Sequence, residues 1–354
     1  MPLPGASHDR GDVFDGVLRR AVAPNAPHVY FQDRHRRWPF HTGDRGAALL
    51  DALFPLARDV IARIDAAIDA ACEHDAARSR AAIQRGVDLY ARKPSIRERD
   101  VTWSQEEYRE LGLQREYARF KSVQRFTETW ACLERARAIG AFDAMARRGG
   151  GAATCASLGG GPGFELVAFR EFFREHYPTF TLDLISLDVE DSWRASAEGL
   201  GLRFARWDMR AGDGAGACGR QVDFAIASYV FKMYMCEDIV ANWLAEELKS
   251  IGAVFVINRD ENLREGCALM ESRGVDVARL LPQDNGRDDR QLIFSRGLEL
   301  KPSVPTEIAT HLTFPNVPYQ EHKKSSDREQ RPHGAWRPRD ADRDRRPGRP
   351  PGRW

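Results

Sequence analysis

A glycine-rich stretch, SLGGGPG, occupies residues 157–163 and is followed at once by Phe164 and Glu165. Glycine loses much backbone entropy on folding and has no side chain to pack, so this loop is expected where something approaches the backbone closely. The residues before it predict a strand over 152–159, and those after it predict a helix over 164–177. A glycine turn between a strand and a helix is a typical place for a nucleotide-like ligand.

Short apolar runs alternate with helical segments after Gly149, which predicts an α/β fold with a parallel sheet. Asn285-Gly286 lies between the last two runs and predicts an antiparallel hairpin. The further predicted strands are 182–188, 202–208, 222–231, 253–258, 277–281 and 291–295.

The remaining chain divides by composition. Residues 1–45 predict an irregular lead-in, and 46–150 predict a helical region, with a break or kink near Pro55 and a capping box opening at Ser104. The sheet region spans 151–300. The C-terminal segment 301–354 has few aliphatic residues toward its end, and we expect disorder from about residue 322.

The spacing of the glycines in this loop differs from the spacing that dinucleotide-binding loops require. The dinucleotide fingerprint G-x-G-x-x-G needs a third glycine where this chain has Phe164, whereas Gly159, Gly161 and Gly163 form G-x-G-x-G. With that loop, the chain resembles the class I S-adenosylmethionine-dependent methyltransferases. The resemblance covers about residues 115 to 300. It implies a Rossmann-like, seven-stranded, mostly parallel sheet closed by an antiparallel hairpin.

The resemblance also implies a cofactor site. Asp188, at the end of the second strand, would bind the ribose hydroxyls, and Asp208, at the end of the third, would face the adenine amino group. Ordinary helix capping is the alternative for either aspartate. Ser157 stands where the family often has an acid. The full predicted S-adenosylmethionine site is Ser157, Gly159, Gly160, Gly161, Gly163, Asp188, Val189, Asp208, Met209 and Ser228.

Tyr229 follows the fourth strand, where the resemblance places methyl transfer. An aromatic ring there would stabilise a sulfonium by a cation–π interaction, so Tyr229 is the predicted catalytic residue; simple packing is the alternative. The expected enzyme is a methyltransferase whose acceptor is RNA, a protein or a small molecule. The alternatives are a non-catalytic methyltransferase-like scaffold and a nucleotide-dependent oxidoreductase.

Charge and cysteine content give further expectations about the C-terminal tail, metal binding and the cell compartment. From His322 onward, eleven Lys/Arg face five Asp/Glu, although the whole chain has a net charge of only +1. This basic tail is either an arm that touches RNA or a solvated tail. The six cysteines show no zinc-ligand spacing, so we expect free thiols and no metal. Without a membrane-length apolar run or a signal sequence, we expect a cytoplasmic protein, with the nucleus left open.

Overall fold

The computed structural model of the protein describes residues 29–31, 40–41, 43–92, 103–260, 262–283 and 286–304. The predicted basic tail and its disorder lie outside these ranges, as do Asn285 and most of the predicted lead-in. Inside the lead-in, strand β1 (Val29–Phe31) pairs antiparallel with strand β2 (Phe40–His41).

Within its described residues, 46–92 and 103–150, the helical region contains five helices, the first of which begins just before it: α1 (Gly43–Ala71), α2 (Ala76–Arg92), α3 (Gln105–Arg109), α4 (Leu111–Ala138) and α5 (Asp143–Ala146). The predicted capping box is confirmed, because Ser104 Oγ accepts the Glu107 N–H and the Glu107 carboxylate accepts the Ser104 N–H. The predicted break near Pro55 is wrong. Helix α1 continues through Pro55, and the chain turns instead at 72–75, where Glu73 and His74 have positive φ.

Seven strands form the central sheet: β3 (Gly151–Leu158), β4 (Phe180–Asp188), β5 (Arg203–Arg206), β6 (Phe224–Ser228), β7 (Ala253–Ile257), β8 (Asp276–Arg279) and β9 (Gln291–Ser295). Their order is β5-β4-β3-β6-β7-β9-β8. All neighbouring pairs are parallel except those that β9 makes with β7 and β8. The predicted Rossmann-like sheet with its antiparallel closing hairpin is therefore confirmed.

Helices connect these strands: α6 (Phe164–His176), α7 (Arg194–Gly199), α8 (Gly214–Cys218), α9 (Asp238–Glu247) and α10 (Arg264–Glu271). Successive residues of a strand face opposite sides of the sheet. Phe224 and Ile226 of β6 pack in a core with α1, α4 and α6, whereas Ala225 and Ala227 pack in a second core with α9 and α10. The helical region and the sheet thus share one hydrophobic core.

Candidate active site

The glycine loop links β3 to α6 at the edge of the sheet where the parallel strands end. Gly159, Gly161 and Gly163 have φ of 65°, 53° and 86°, a conformation that L side chains rarely adopt. Gly163 is also the N-cap of α6. At these three positions glycine is required by the backbone itself.

Close packing explains the remaining glycine. A Cβ built on Gly160 would lie 2.5 Å from Ser157 Oγ and 2.7 Å from Ser186 Oγ. On Gly159 it would lie 2.8 Å from Val230 Cγ1 and 3.7 Å from Met209 Cε. The structure therefore brings the predicted residues Ser157 of β3 and Met209 after β5 to the loop, together with Val230 after β6.

Strand β4 anchors this loop through three hydrogen bonds. The Gly160 N–H donates to the Leu187 carbonyl (3.1 Å), and Ser186 Oγ donates to the Gly161 carbonyl (2.8 Å). The Gly161 N–H donates to Asp188 Oδ2 (2.8 Å). The predicted ribose-binding acid is thus in direct contact with the predicted loop.

Asp188 keeps acceptor capacity for a ligand. Its Oδ1 accepts the Glu190 N–H (2.9 Å) and its Oδ2 accepts Gly161, but an ionised carboxylate offers about four acceptor sites. Burial raises the pKa of Asp188 to about 6, although the N–H donors of Glu190 and Gly161 oppose the shift. At neutral pH it is mostly an anion able to accept the two hydroxyls of a ribose.

Ser157 has a carboxylate partner that the sequence analysis missed. Its Oγ donates to Glu165 Oε1, and both side chains are buried. Burial raises the pKa of Glu165, while the Ser157 hydrogen bond and the charge of Arg125 lower it. The acid absent from position 157 is thus supplied eight residues later, from the first turn of α6. The sequence carried no distinct signal for this contact, because a glutamate in the first turn of a helix is common and is usually exposed.

The site residues after β4 and β5 lie at the same edge. Val189 and Met209 are half-buried. Asp208 is exposed, and its Oδ1 accepts the Arg210 N–H (2.9 Å) as the cap of the turn Met209–Ala211. Asp208 therefore caps this turn, as the alternative interpretation proposed. The predicted contact of Asp208 with adenine stays a prediction.

Tyr229 is held in a strained conformation after β6. Its φ is 64°, a left-handed value that is costly for a side chain with a ring. The Tyr229 hydroxyl donates to Glu128 Oε1 (2.9 Å) and accepts from Gln124 Nε2 (2.9 Å). The Arg125 guanidinium lies 3.7 Å from the ring centroid. Tyr229 therefore does more than pack, although one face of its ring is already covered by a cation.

Ser228 stands directly before this tyrosine. The Ser228 side chain is buried, and its Oγ has no hydrogen-bond partner among the described residues. A buried hydroxyl without a partner is uncommon and indicates a place where a ligand or water completes the bonding. It lies where methyl transfer was predicted.

A polar face of α4 covers this part of the sheet edge and was not recognised in the sequence. Its buried or half-buried members recur every three or four residues: Gln114, Tyr117, Lys121, Arg125 and Glu128. Such spacing places them on one side of a helix. Apolar residues recur at the same spacing along this helix and mask the polar pattern, which is unusual because it faces the protein interior.

Three tyrosines and Asp188, from four different elements, interact electrostatically near the glycine loop. Burial raises the pKa of Tyr108 well above its ordinary value, and the nearby phenols of Tyr117 and Tyr234 raise it further. The charge on Asp188 raises the pKa of all three tyrosines, and the rings of Tyr108 and Tyr117 lie 6.4 Å apart, centroid to centroid. Neutral phenols from α3, α4 and the turn Phe231–Met235 therefore lie within electrostatic reach of Asp188.

Three buried or half-buried carboxyls lie around the loop and α4, namely Glu128, Glu165 and Asp188, and burial raises the pKa of each. Arg125 is the buried cation that acts on Glu128 and Glu165. A ligand that carries positive charge and supplies hydroxyl donors would favour the ionised form of these carboxyls. Both features fit the sulfonium and the ribose of S-adenosylmethionine.

Other kinds of site are not evident in the described ranges. No group of three or more His, Cys, Asp or Glu side chains there could hold a metal ion. All six cysteines are free thiols. Among the described helices, none is both long enough and apolar enough to cross a membrane.

Comparison with known proteins gives structural neighbours alone, since no family model and no curated protein matches the chain. The DszA carbon methyltransferase is 16% identical, with 44% of this chain and 51% of that chain covered and a TM-score of 0.33. A SAM-dependent methyltransferase from Aquifex aeolicus is 17% identical over 45% and 90% of the two chains (TM-score 0.28). Phosphoethanolamine N-methyltransferase 2 from Haemonchus contortus, solved with S-adenosyl-L-methionine, is 13% identical over 41% and 39% (TM-score 0.27).

The chain spans about half the length of the first of these neighbours. All three are methyltransferases by their descriptions. The strand order, rather than these loose superpositions, establishes the Rossmann-like sheet with its antiparallel closing strand.

Proposed function

We propose that the protein is an S-adenosylmethionine-dependent methyltransferase. One observation carries the proposal: the glycine loop and Asp188 are joined by the Gly161 N–H to Asp188 Oδ2 hydrogen bond. A glycine loop and a carboxylate with spare acceptor sites therefore lie side by side at the end of two adjacent parallel strands.

The charge of the candidate ligand distinguishes S-adenosylmethionine from a nicotinamide dinucleotide at this site. A dinucleotide brings a doubly negative pyrophosphate to the glycine loop, where Asp188, whose pKa of about 6 leaves it mostly ionised at neutral pH, already bonds to the Gly161 N–H and the Glu165 carboxyl lies beneath the loop. A sulfonium is a cation and would be stabilised by the same carboxylates. The site therefore suits S-adenosylmethionine better than NAD(P)H.

When bound, S-adenosylmethionine supplies an electrophilic methyl group. The protein's part is to align donor and acceptor and to exclude water. We propose that Asp188 orients the ribose, that the glycine backbone receives the methionine side and that Tyr229 borders the reacting methyl. The acceptor would enter between α4 and the sheet edge, beside Tyr108, Tyr117 and Tyr234.

Calorimetric titration of the full-length protein tests the proposal. We expect S-adenosylmethionine and S-adenosylhomocysteine to bind and NADPH not to bind. Binding of NADPH alone would support the oxidoreductase alternative, and binding of none of the three would support the scaffold. A methyl-acceptor screen with labelled cofactor then addresses the acceptor, with RNA, protein and small-molecule fractions tested separately.

The pH dependence of binding provides a second test. Because the pKa of Asp188 is raised to about 6, the carboxylate that accepts the ribose hydroxyls is lost as pH falls through 6. Affinity for S-adenosylhomocysteine should be nearly constant from pH 7.5 to 8.5 and about tenfold weaker at pH 5. In Asp188→Asn, whose side chain does not ionise, the Asp188 part of this decline should disappear. An identical pH profile for both proteins would contradict the assignment.

A further inference from the structure

Tyr229 is joined to Glu128 and Gln124 of α4 by a closed set of hydrogen bonds. Gln124 Nε2 donates to the Tyr229 hydroxyl (2.9 Å) and to Glu128 Oε1 (2.7 Å). Lys121 Nζ lies 2.6 Å from Gln124 Oε1, and a lysine can only donate, so the amide nitrogen must face Tyr229. The Tyr229 hydroxyl in turn donates to Glu128 Oε1 (2.9 Å). The proton of the phenol is therefore directed at a carboxylate.

Glu128 has the properties of a proton acceptor. Burial raises the pKa of Glu128, and the charges of Arg125 and Lys121 oppose the shift. Arg125 Nη1 lies 3.6 Å from Glu128 Oε2, so a cation stabilises the ionised form of the carboxyl. A carboxylate with a raised pKa holds a proton more firmly than an ordinary glutamate does, and this suits a base.

An acceptor can reach Tyr229 but not Glu128. Glu128 has no solvent-exposed surface, whereas Tyr229 is half-buried. The residue after the tyrosine, Val230, lies against the glycine loop, because its Cγ1 is 2.8 Å from the Cβ position of Gly159. Tyr229 therefore stands between the loop that would hold the cofactor and the buried carboxylate.

Aromatic rings continue from the glycine loop toward Tyr229. The Trp193 ring lies 3.6 Å from the Cβ position of Gly161 and 5.5 Å, centroid to centroid, from the Tyr117 ring. Burial raises the pKa of Tyr117, and the charge of Arg125 and a hydrogen bond from it oppose the rise. The same guanidinium lies 3.7 Å from the centroid of the Tyr229 ring. Because Tyr117 and Tyr229 are both half-buried, an aromatic acceptor could pack against their rings.

We propose that Glu128, acting through Tyr229, removes the proton of an acceptor that carries a phenolic hydroxyl. This inference rests on the proposed function. The acceptor O–H bond breaks, its electron pair stays on the acceptor oxygen, and that oxygen bonds to the methyl carbon as the carbon–sulfur bond breaks with its electrons left on sulfur. The acceptor proton passes to Tyr229 Oη while the Tyr229 proton passes to Glu128 Oε1. Solvent takes up the proton after the product leaves.

Two phenols test this proton path in methyl-transfer assays with the full-length protein. Phenol keeps its proton at neutral pH, whereas pentafluorophenol is already ionised and has no proton to give. The quantity measured is kcat/KM for phenol divided by kcat/KM for pentafluorophenol, because a loss of alignment affects both values and cancels in the ratio. Glu128→Gln and Tyr229→Phe should each lower this ratio about 100-fold, the loss expected when a general base is removed.

Matched controls come from the same helix and the same residue type. Glu134→Gln replaces another glutamate of α4, one that contacts His176. Tyr177→Phe replaces another half-buried tyrosine, which packs among the aromatic rings around Phe142. Neither control should change the ratio.

Calorimetry gives a reading that does not depend on catalysis. Glu128→Gln and Tyr229→Phe should bind S-adenosylhomocysteine, and then phenol, as the wild type does. Glu128→Gln leaves Arg125 without its ion-pair partner, so Arg125→Met/Glu128→Gln removes both charges and should lower the ratio as well. Tyr229→Phe keeps that ion pair and tests the path independently.

The remaining outcomes are distinct from one another. An unchanged ratio in Glu128→Gln and Tyr229→Phe would overturn the proton path, and weakened phenol binding with an unchanged ratio would show a structural role instead. A wild-type protein that binds S-adenosylhomocysteine but methylates neither phenol would overturn the phenolic acceptor. A wild-type protein that does not bind S-adenosylhomocysteine would overturn the proposed function itself.

Discussion

Replacing Asp188 with alanine is expected to weaken S-adenosylmethionine binding by about a hundredfold or more. The variant loses the carboxylate that would accept both ribose hydroxyls, and each hydrogen bond to a charged acceptor contributes about 1.5–3 kcal/mol. Calorimetry or equilibrium dialysis with the full-length protein measures the change. Because 5′-methylthioadenosine and S-adenosylhomocysteine both contain the ribose, Asp188→Ala should weaken the binding of both to a similar extent.

Two controls separate ribose binding from a general loosening of the loop. Ser186→Ala removes the hydroxyl that donates to the Gly161 carbonyl but leaves Asp188 in place, so the affinity should fall far less. Asp183→Ala removes another aspartate of β4, one that pairs with Arg203 and Arg220 away from the loop, and should have no effect on binding. A decrease with Ser186→Ala as large as that with Asp188→Ala would show that Asp188 acts mainly as a loop anchor.

Replacing Phe142 with alanine should lower the free energy of unfolding by about 3–5 kcal/mol, the range for removing a fully buried aromatic side chain. Phe142 is completely buried just before α5. Its ring lies 5.2–6.5 Å, centroid to centroid, from six others: Phe169, Phe172, Phe173, Tyr177, Phe224 and Phe255. These neighbours belong to α6, β6 and β7 or follow them closely, so the substitution would leave a cavity between the helical region and the sheet.

Equilibrium unfolding in urea measures this loss. Ile239→Ala serves as the control, because Ile239 is 54% exposed on α9 and its truncation should change the free energy by about 0.5 kcal/mol or less. A loss below about 1 kcal/mol for Phe142→Ala would mean that the helical region is not stabilised by packing on the sheet. A single cooperative transition is expected, because the two parts share one core.

The strands were the part of the fold most open to prediction. Predicted strands 253–258 and 291–295 differ from β7 and β9 by one residue at most, and the antiparallel closing strand was predicted correctly. Buried strands give short apolar runs bounded by turn residues, which are local signals. The break in the first long helix was misplaced, because proline within a helix is only a local penalty that packing can outweigh.

The candidate site, like the fold, has some features that the sequence predicts and others that it does not. The sequence by itself determined the glycine loop and the acids that end β4 and follow β5, because these depend on neighbours within a few residues. Only the tertiary structure decided which groups meet them. Tyr229 contacts Gln124 and Glu128, more than 100 residues earlier in the chain, and Ser157 finds its acid on the next helix. Such contacts arise when α4 packs across the sheet edge, and the free energy that holds them comes from burial over the whole core rather than from any local pattern.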